Sequence, residues 1–493
     1  MRALVPGATY FAELHERLEA TVAGDLVFFT DWQGDGDEQL TGEPGSEVVE
    51  VLARADERGV DVRGLVWRSH ASAIGFTADT NRRLGKELQD RGAEALLDMR
   101  VRLSGSHHQK LVVIRYRDDP TRDIAYVGGI DLCRSRRDDA THAGDPQALT
   151  SMAPEYGDTP AWHDIMAAIS GPAVHDVETV FRERWEDPTP LNRNPFRLLQ
   201  DRLLGMDLSP DPLPEQAAPP PEVPGGTHAV QLLRTYPDLL LGRDYPFAVG
   251  GERSVARGYT KALARARRLV YVEDQYLWGT HVGDTFRAAL EEHPDLRVMV
   301  VLPQHTDVTG LLGRVPQQLG RRRAMTDLLA VAPDRVTIYG LENHAGWPVY
   351  VHAKTCLIDD AWATVGSDNF NRRSWTHDSE LSCAVVDTSD GRSYAKDLRL
   401  ELAAEHLDRN ADDPDDLADC LDPHGMYDAY AASAAALDAW HAGGRRGARP
   451  PGRLRRMPPP ELSRFTRVWA TLPYLTLHDP DGRPPRMRHS DEF

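Results

Sequence analysis

The 493-residue chain carries 57 lysines and arginines against 76 aspartates and glutamates, which gives a formal net charge of −19. Because nonspecific nucleic-acid binding requires a basic surface that neutralises phosphates, this charge argues against a nucleic-acid-binding function. The length exceeds what one hydrophobic core usually organises, and it therefore predicts two domains or two fused halves.

The predicted elements of the N-terminal part begin with a helix over residues 10–23. Strand-like apolar runs follow at 25–32, 60–67 and 107–114, and a glycine-containing turn follows at 127–132. Residues 209–226 hold seven prolines among 18 residues, a composition that excludes a helix or an inner strand and predicts a linker.

Beyond this linker the same order of elements returns. A helix is predicted over 259–267, strands over 268–276 and 295–303, and an apolar run over 351–359 before a second glycine turn. His108 and His352 are 244 residues apart, and Gly128 and Gly366 are 238 residues apart, so the landmarks stay in register. This repeat predicts an internal duplication.

We therefore predict an α/β fold made of two fused, internally duplicated halves that share one active-site cleft. Short apolar strands alternating with helices favour largely parallel, buried sheets, with the motif strands locally antiparallel. The predicted divisions are an N-terminal half (1–208), a Pro-rich linker (209–226) and a C-terminal half (227–493). The last of these is expected to end in a helical extension and a basic, loosely ordered, Pro-rich tail.

The sequence also predicts a cytoplasmic protein that contacts lipid only peripherally. The N-terminus shows no apolar run of signal-peptide length, and no apolar run is long enough to span a bilayer. The four cysteines are far apart and lack the spacing of paired metal ligands. We expect reduced thiols and no metal or cofactor.

The candidate catalytic residues are two His-x-Lys pairs, each on an apolar, strand-like segment. Residues i and i+2 of a strand project to the same face, so His108 with Lys110, and His352 with Lys354, should point together. Two imidazoles and two ammonium groups suit a phosphoryl centre. One histidine would attack phosphorus, the other would donate a proton to the leaving oxygen, and the lysines would stabilise the nonbridging oxygens.

These pairs resemble the signature of the phospholipase D superfamily, H-x-K-x4-D followed by G-[GS]-x-N. The second copy matches it completely, with His352, Lys354, Asp359, Gly366, Ser367 and Asn369. The segments HHQK, GGIDLC, WHDI, VEDQY and VYVHAKT are similar, in this order, to the catalytic core of plant and other eukaryotic-type phospholipases D. The resemblance implies that Asp359 supports the motif by hydrogen bonding.

The first copy departs from the motif, because Arg115 stands where the aspartate is expected. An insertion, YRDDPTRD, follows it. Asp118, Asp119 or Asp123 could reach back to replace the missing carboxylate, although a solvated turn is the favoured prediction for all three.

Each catalytic histidine also needs a carboxylate that fixes its tautomer. The resemblance indicates Glu380 for His352, whereas the partner of His108 is ambiguous between Asp131 and Asp138. The remaining predicted residues line or support the phosphate site. They are Gly129, Asp131, Ser367 and Asn369, with Trp162, His163 and Gln275 as supporting candidates. Trp278 and Trp347 are candidates for contact with acyl chains or for ordinary packing.

The predicted function is a phospholipase D that cleaves phosphatidylcholine-like lipids to phosphatidic acid, or transfers the phosphatidyl group to another alcohol. We assign His108 as nucleophile and His352 as general acid and base, although the roles could be exchanged. The alternatives are a phosphatidyltransferase of the cardiolipin-synthase type, a nuclease, and a catalytically weakened binding protein. The internal duplication would allow a monomer to be active.

Overall fold

The computed structural model describes residues 1–70, 77–148, 152–239, 244–308, 310–389, 393–413, 415–488, 490 and 493. Within these ranges the strands are β1 (Arg2–Leu4), β2 (Leu26–Asp31), β3 (Asp61–Trp67), β4 (Glu94–Asp98), β5 (Leu111–Arg115), β6 (Ile124–Gly128), β7 (Ala161–His163), β8 (Met166–Ser170), β9 (His228–Tyr236), β10 (Glu252–Arg253), β11 (Leu269–Glu273), β12 (Arg297–Val301), β13 (Val336–Glu342), β14 (Pro348–Val351), β15 (Thr355–Ile358), β16 (Trp362–Gly366), β17 (Glu380–Asp387) and β18 (Leu454–Arg456).

The helices in the same ranges cover both sheets. They are α1 (Gly7–Glu19), α2 (Val48–Glu57), α3 (Ala78–Arg91), α4 (Ala173–Trp185), α5 (Pro195–Leu203), α6 (Ser254–Leu263), α7 (Thr280–Glu292), α8 (Leu311–Val331), α9 (Arg372–Thr376), α10 (Tyr394–Leu407), α11 (Pro423–Ala442) and α12 (Arg464–Pro473). A helix that faces a sheet buries one stripe: α1 buries Tyr10, Phe11, Leu14 and Leu18 at helical spacing.

The strand order confirms the internal duplication. The first sheet runs β1-β8-β6-β5-β2-β3-β4, and the second contains β17-β16-β15-β11-β12-β13 in the matching positions. In each half one strand pairs in parallel with its successor, β2 with β3 and β11 with β12, and in antiparallel with the motif strand, β5 or β15. The expectation of largely parallel sheets is wrong, because most strand pairs in both sheets are antiparallel. The predicted antiparallel pairing of the motif strands is confirmed.

The two halves are joined by more than the linker. β7, from the N-terminal half, pairs in parallel with β14 of the C-terminal sheet. Between the halves, Phe28 and Phe181 of the first pack with Leu381 and Cys383 of the second in one buried cluster. This shared core fixes the relative position of the catalytic segments, which a flexible linker would not do.

The linker and the basic tail are both attached to the body of the protein. In the linker, the carbonyl of Ala218 accepts a hydrogen bond from Arg115, and that of Pro214 accepts one from Arg182 of α4. In the tail, β18 pairs with β13, and Arg455 lies 2.8 Å from Glu342. The prediction of a loosely ordered tail is therefore wrong, because β18 extends the sheet and Arg449, Arg453 and Arg455 pair with carboxylates on the body. Among the described residues, no helix is long and apolar enough to cross a membrane.

Candidate active site

Both His-x-Lys pairs lie in short extended segments that immediately precede a strand. Lys110 is followed by β5, and Lys354 by β15. Each segment is held by the other half: the His108 amide donates to the Ser379 carbonyl (2.9 Å), and the His352 amide donates to the His163 carbonyl (2.8 Å). The prediction that the pairs lie within the strands is thus slightly misplaced, and the chain crossing here brings the two halves together.

The imidazoles are oriented by carboxylates from the opposite halves. His108 Nδ1 lies 2.9 Å from Glu380 Oε2, and His352 Nδ1 lies 2.6 Å from Asp164 Oδ2. Assigning Glu380 to His352 is therefore wrong. With Nδ1–H donating to a carboxylate, each ring keeps its Nε2 for chemistry.

Neither Asp131 nor Asp138 is the partner of His108. Asp131 accepts hydrogen bonds from the Trp32 and Gln33 amides and lies 3.3 Å from Lys110 Nζ. Asp138 accepts from the backbone amides of residues 139, 144 and 162, and so shapes the loop before β7. Both carboxylates therefore accept hydrogen bonds from adjacent backbone N–H groups and do not bond the His108 ring.

Burial and mutual proximity keep both imidazoles neutral at rest. Loss of water and the ammonium groups of Lys110 and Lys354 lower the pKa of His108 well below its usual value. The pKa of His352 is lowered by the same burial, then by Lys354 and Arg136, with a smaller contribution from Lys110. Because the lysine of each half lowers the pKa of the histidine in the other half, the two motifs form one site.

The lysines are held with their ammonium groups inside the site. Lys110 Nζ donates to the carbonyl of His108 (3.0 Å), and Lys354 Nζ donates to the carbonyl of His352. Burial lowers the pKa of Lys354 to about 7, although the nearby Asp164 carboxylate opposes that change. Such an ammonium group has lost much of its hydration and is ready to bind an anion.

The glycine turns differ between the halves for a physical reason. A Cβ on Gly129 would lie 2.2 Å from Asp164 Oδ1, so a side chain there would displace the partner of His352. At the matching position, the Ser367 hydroxyl donates to Glu380 Oε2 (2.5 Å) and accepts from the Leu381 amide. Asn369 is 3% exposed, and no described residue bonds its Oδ1, which leaves an acceptor in the cleft.

The motif aspartate is a structural residue. Asp359 accepts hydrogen bonds from three successive amides, of Arg267, Arg268 and Leu269, at the start of β11. It therefore stabilises the strand pairing that carries the motif and does not face the histidines. Arg115, at the same strand position in the first half, pairs with Asp123 and Glu178.

Of the three insertion aspartates, Asp123 is the one that reaches back. Its carboxylate accepts from the Arg115 guanidinium and from the Tyr116 amide, both at 2.7 Å, and the residue is 2% exposed. The solvated-turn prediction is thus wrong for Asp123. Asp118 and Asp119 are exposed on the turn between β5 and β6, as predicted.

Two residues that the sequence did not single out, Arg136 and Asp164, complete the cleft. The Arg136 guanidinium lies 3.8 Å from the centre of the Trp162 ring, which in turn lies 5.0 Å from the His352 ring. Arg136 is 4% exposed and has no carboxylate within ion-pair distance in the described part of the chain. It is therefore a buried cation that an anionic ligand can neutralise.

His163 and Gln275 support the site from behind. Gln275 donates to the Tyr350 hydroxyl (2.6 Å), and the Tyr350 ring lies beside that of His352. His163 is fully buried and contributes its carbonyl, whereas its ring points away from the cleft. Trp278 is buried in ordinary packing, while Trp347 is half exposed.

A buried cluster of imidazoles and carboxylates lies behind His352. His163 Nε2 is 2.7 Å from Glu273, His142 Nε2 is 3.0 Å from Glu405, and His406 Nε2 is 2.7 Å from Glu273. Their ligand atoms lie close enough together to hold a metal ion by residue type. In the present arrangement the histidines neutralise the carboxylates, and the pKa of His163 is raised well above its usual value against the effect of burial. The cluster ties α10 to both halves.

The fold and the cleft define a duplicated α/β protein with two His-x-Lys pairs, in which the histidine of each half is oriented by a carboxyl group of the other half. The sequence model of the family described as "Phospholipase D" matches residues 22–288, and that of "Cardiolipin synthase, PLD-like domain" matches 259–401. The chain belongs to the phospholipase D superfamily.

Curated relatives agree with this membership, and a solved structure shares the fold. Phospholipase D alpha 1 and alpha 2 of Oryza sativa subsp. japonica are 25% and 26% identical to this chain, over 78% of it and 62% of their own length. The chain thus spans about three fifths of these relatives. The structure of phosphatidylserine synthase from Haemophilus influenzae is similar with a TM-score of 0.52, at 13% identity, over 79% of this chain and 83% of that one. This last similarity concerns the fold alone.

Proposed function

We propose that this chain is a phosphodiesterase that cleaves glycerophospholipids of the phosphatidylcholine type to phosphatidic acid and the free headgroup alcohol. The observation that carries the proposal is the crosswise pair: His108 held by Glu380, and His352 held by Asp164. Each imidazole thus presents Nε2 to one cleft that also contains two lysine ammonium groups. This is the arrangement that double displacement at phosphorus requires.

In the first step, His108 Nε2 attacks phosphorus and the bond from phosphorus to the headgroup oxygen breaks. His352 donates its Nε2 proton to that oxygen. The anionic phosphodiester raises the low pKa of His352 when it binds, so the ring can carry this proton. Lys110, Lys354 and the negative partners of the histidines balance the charge that moves between the rings and the phosphoryl oxygens.

In the second step, His352 Nε2 removes a proton from water, the oxygen attacks phosphorus, and the bond from phosphorus to His108 breaks. The products are phosphatidic acid, neutral His108 and protonated His352, which is ready for the next phosphodiester or releases its proton to water when the anionic product leaves. An alcohol in place of water gives transphosphatidylation by the same movement of bonds.

The test is release of choline from phosphatidylcholine by the purified protein, with His352→Ala as the control. We expect release well above the control. Release no greater than that of His352→Ala would contradict the proposal, and would favour a nuclease or an inactive binding protein, which cleavage of DNA would separate. Trapped phosphohistidine should be lost in His108→Ala; label retained there but lost in His352→Ala would reverse the two roles.

A phosphatidyltransferase is the second candidate, because the cardiolipin-synthase-type family model covers residues 259–401. Such an enzyme would use a lipid alcohol as acceptor in the second step. Supplying phosphatidylglycerol with the labelled donor distinguishes the two: a labelled lipid larger than phosphatidic acid identifies transfer.

A further inference from the structure

Large apolar side chains are exposed along one stripe at the C-terminal end of the chain. Within α12 and the π-helical turn that continues it (Tyr474–His478), they are Phe465, Val468, Leu472, Leu475 and Leu477, with exposed fractions of 79%, 76%, 69%, 41% and 57%. The spacing of three or four residues places Phe465, Val468, Leu472 and Leu475 on one face of the helix, and Leu477 lies at its C-terminal end. The opposite face is anchored, because Ala470 and Tyr474 pack against α8 and Trp278.

The stripe continues onto the first turn of α8 and onto one neighbouring loop. Leu311 and Leu312, at the start of α8, are 74% and 75% exposed, and the Leu312 carbonyl lies 3.4 Å from His478 Nε2. Leu103 is 90% exposed and belongs to the loop before His108. Arg373 joins that loop to the stripe, since it donates to the carbonyls of both Ser104 and Leu477. We call these eight residues the C-terminal apolar surface.

This surface lies beside the mouth of the cleft. Arg373 also pairs with Asp378, which accepts a hydrogen bond from the Ser106 amide, two residues before His108. On the other side, Trp278 beneath α12 belongs to the loop that leaves β11 through Asp274 and Gln275. Contiguous exposed apolar surfaces of this kind are rare and mark sites of interaction.

The charges around the surface indicate what covers it. The chain as a whole has a net charge of −19, but residues 443–488 contain 11 arginines and three carboxylates. Four arginines flank α12 without a carboxylate within ion-pair distance in the described ranges: Arg322, Arg323, Arg464 and Arg467. An exposed apolar stripe bordered by arginines that lack a carboxylate partner is the pattern of a helix that lies in the interface of an anionic membrane.

We propose that the C-terminal apolar surface docks on an anionic phospholipid bilayer, with α12 parallel to the membrane plane, and so brings the mouth of the cleft to its lipid substrate. The proposal deepens the proposed function and rests on it for the identity of the substrate. The leucines and Phe465 insert among the acyl chains, while the arginines contact the phosphate headgroups.

The experiment is co-sedimentation of the full chain with vesicles of phosphatidylcholine, with and without about one third phosphatidylglycerol. We expect binding to the anionic vesicles, reduced at least about tenfold in the triple variant Phe465→Ser/Val468→Ser/Leu472→Ser. We expect about a fivefold loss for each of Arg464→Gln and Arg467→Gln. The matched control is Val22→Ser/Val386→Ser, which removes exposed apolar side chains (56% and 42%) remote from the cleft.

The exposed positions of the triple variant should leave its melting temperature unchanged, so weaker binding would not reflect unfolding. Equal binding by the triple variant and the wild type would overturn the proposal, as would a concentration-dependent dimer that the triple variant abolishes, since a second copy would then cover the surface. Hydrolysis of a short-chain, monomeric phosphatidylcholine separates the two proposals. Normal hydrolysis without vesicle binding would contradict only the proposed docking surface. Vesicle binding without hydrolysis would contradict only the proposed function.

Discussion

Replacing Glu380 by glutamine exchanges the ionisable carboxyl group beside His108 for a neutral amide with little change of shape. Glu380 Oε2 accepts from His108 Nδ1 at 2.9 Å and from Ser367 Oγ at 2.5 Å, while no described residue bonds Oε1. A glutamine can place its carbonyl oxygen where Oε2 accepts from His108 and Ser367, and its NH₂ group where Oε1 lies unbonded. The variant should therefore fold and retain the hydrogen bond to His108.

The expected loss of activity follows from the charge of the phosphorylated ring. In the proposed mechanism the His108 imidazole becomes cationic when it attacks phosphorus, and Glu380 is the carboxyl group bonded to it. Two unit charges about 4 Å apart interact by about 4 kcal/mol at the effective dielectric constant of a protein site. Above about pH 8, where Glu380 is ionised, losing this interaction only in the transition state lowers kcat about a thousandfold.

The assay is kcat for choline release by Glu380→Gln, beside Glu401→Gln, a surface carboxylate on α10, as the matched control. A fall of less than tenfold, or an equal fall in the control, would refute the assigned role.

The pH dependence of folding stability gives a second readout. Burial raises the pKa of Glu380 to about 8 from its usual 4.5, so its contribution to folding is full below about pH 4.5 and is lost as the pH rises through about 8. The glutamine variant should therefore lose less stability than the wild type between those values.

Three further predictions concern residues around the pair. Arg136→Gln should raise KM about tenfold with a smaller effect on kcat, because the buried guanidinium lacks a carboxylate partner and is free to bind phosphate; a fall in kcat at unchanged KM would count against this. For the free enzyme, log kcat/KM should decline above about pH 7, where Lys354 loses its proton, and Lys354→Arg should shift that limb upward; an unmoved limb contradicts the assignment. Arg115→Ala should cost about 3–5 kcal/mol of unfolding free energy in urea, because it leaves Asp123 and Glu178 buried without their cation; a loss below about 1 kcal/mol would show the pairing to be dispensable.

The duplication and the four basic motif residues could be predicted from sequence because each rests on local order. Apolar runs, glycine turns and His-x-Lys spacing recur within one half, so their register is visible without any knowledge of packing. The same reasoning fails for the acids that orient the histidines. Glu380 lies 28 residues after His352 in the sequence, yet it bonds His108, because the sheets face each other and each half closes the other's site.

Asp164 shows why the second acid was missed. Its neighbours Trp162 and His163 are conspicuous by residue type, whereas a lone aspartate before β8 carries no spacing signal that links it to His352, 188 residues away. The role of Asp164 becomes visible only together with Gly129, because the absence of a side chain at Gly129 leaves the space that the Asp164 carboxylate fills. Such complementarity can be read from a structure and not from composition or periodicity.

The departure of the first motif from the family pattern is compensated close to where it occurs. In the second half, Asp359 at the end of β15 accepts amides at the start of β11. In the first half that position is Arg115, and Asp25, at the start of β2, accepts instead from the Val22 and Arg117 amides.

A carboxylate therefore still fastens the motif strand to its neighbour, but it is supplied from the other strand of the pair. Lys110 contacts the carbonyl of its histidine as Lys354 does, and Glu380 gives His108 the same orientation that Asp164 gives His352. The half that looks degenerate in sequence thus keeps both of these contacts, and the change at Arg115 belongs to strand pairing. The Arg115→Ala variant should accordingly lose stability while the protein that remains folded keeps its kcat.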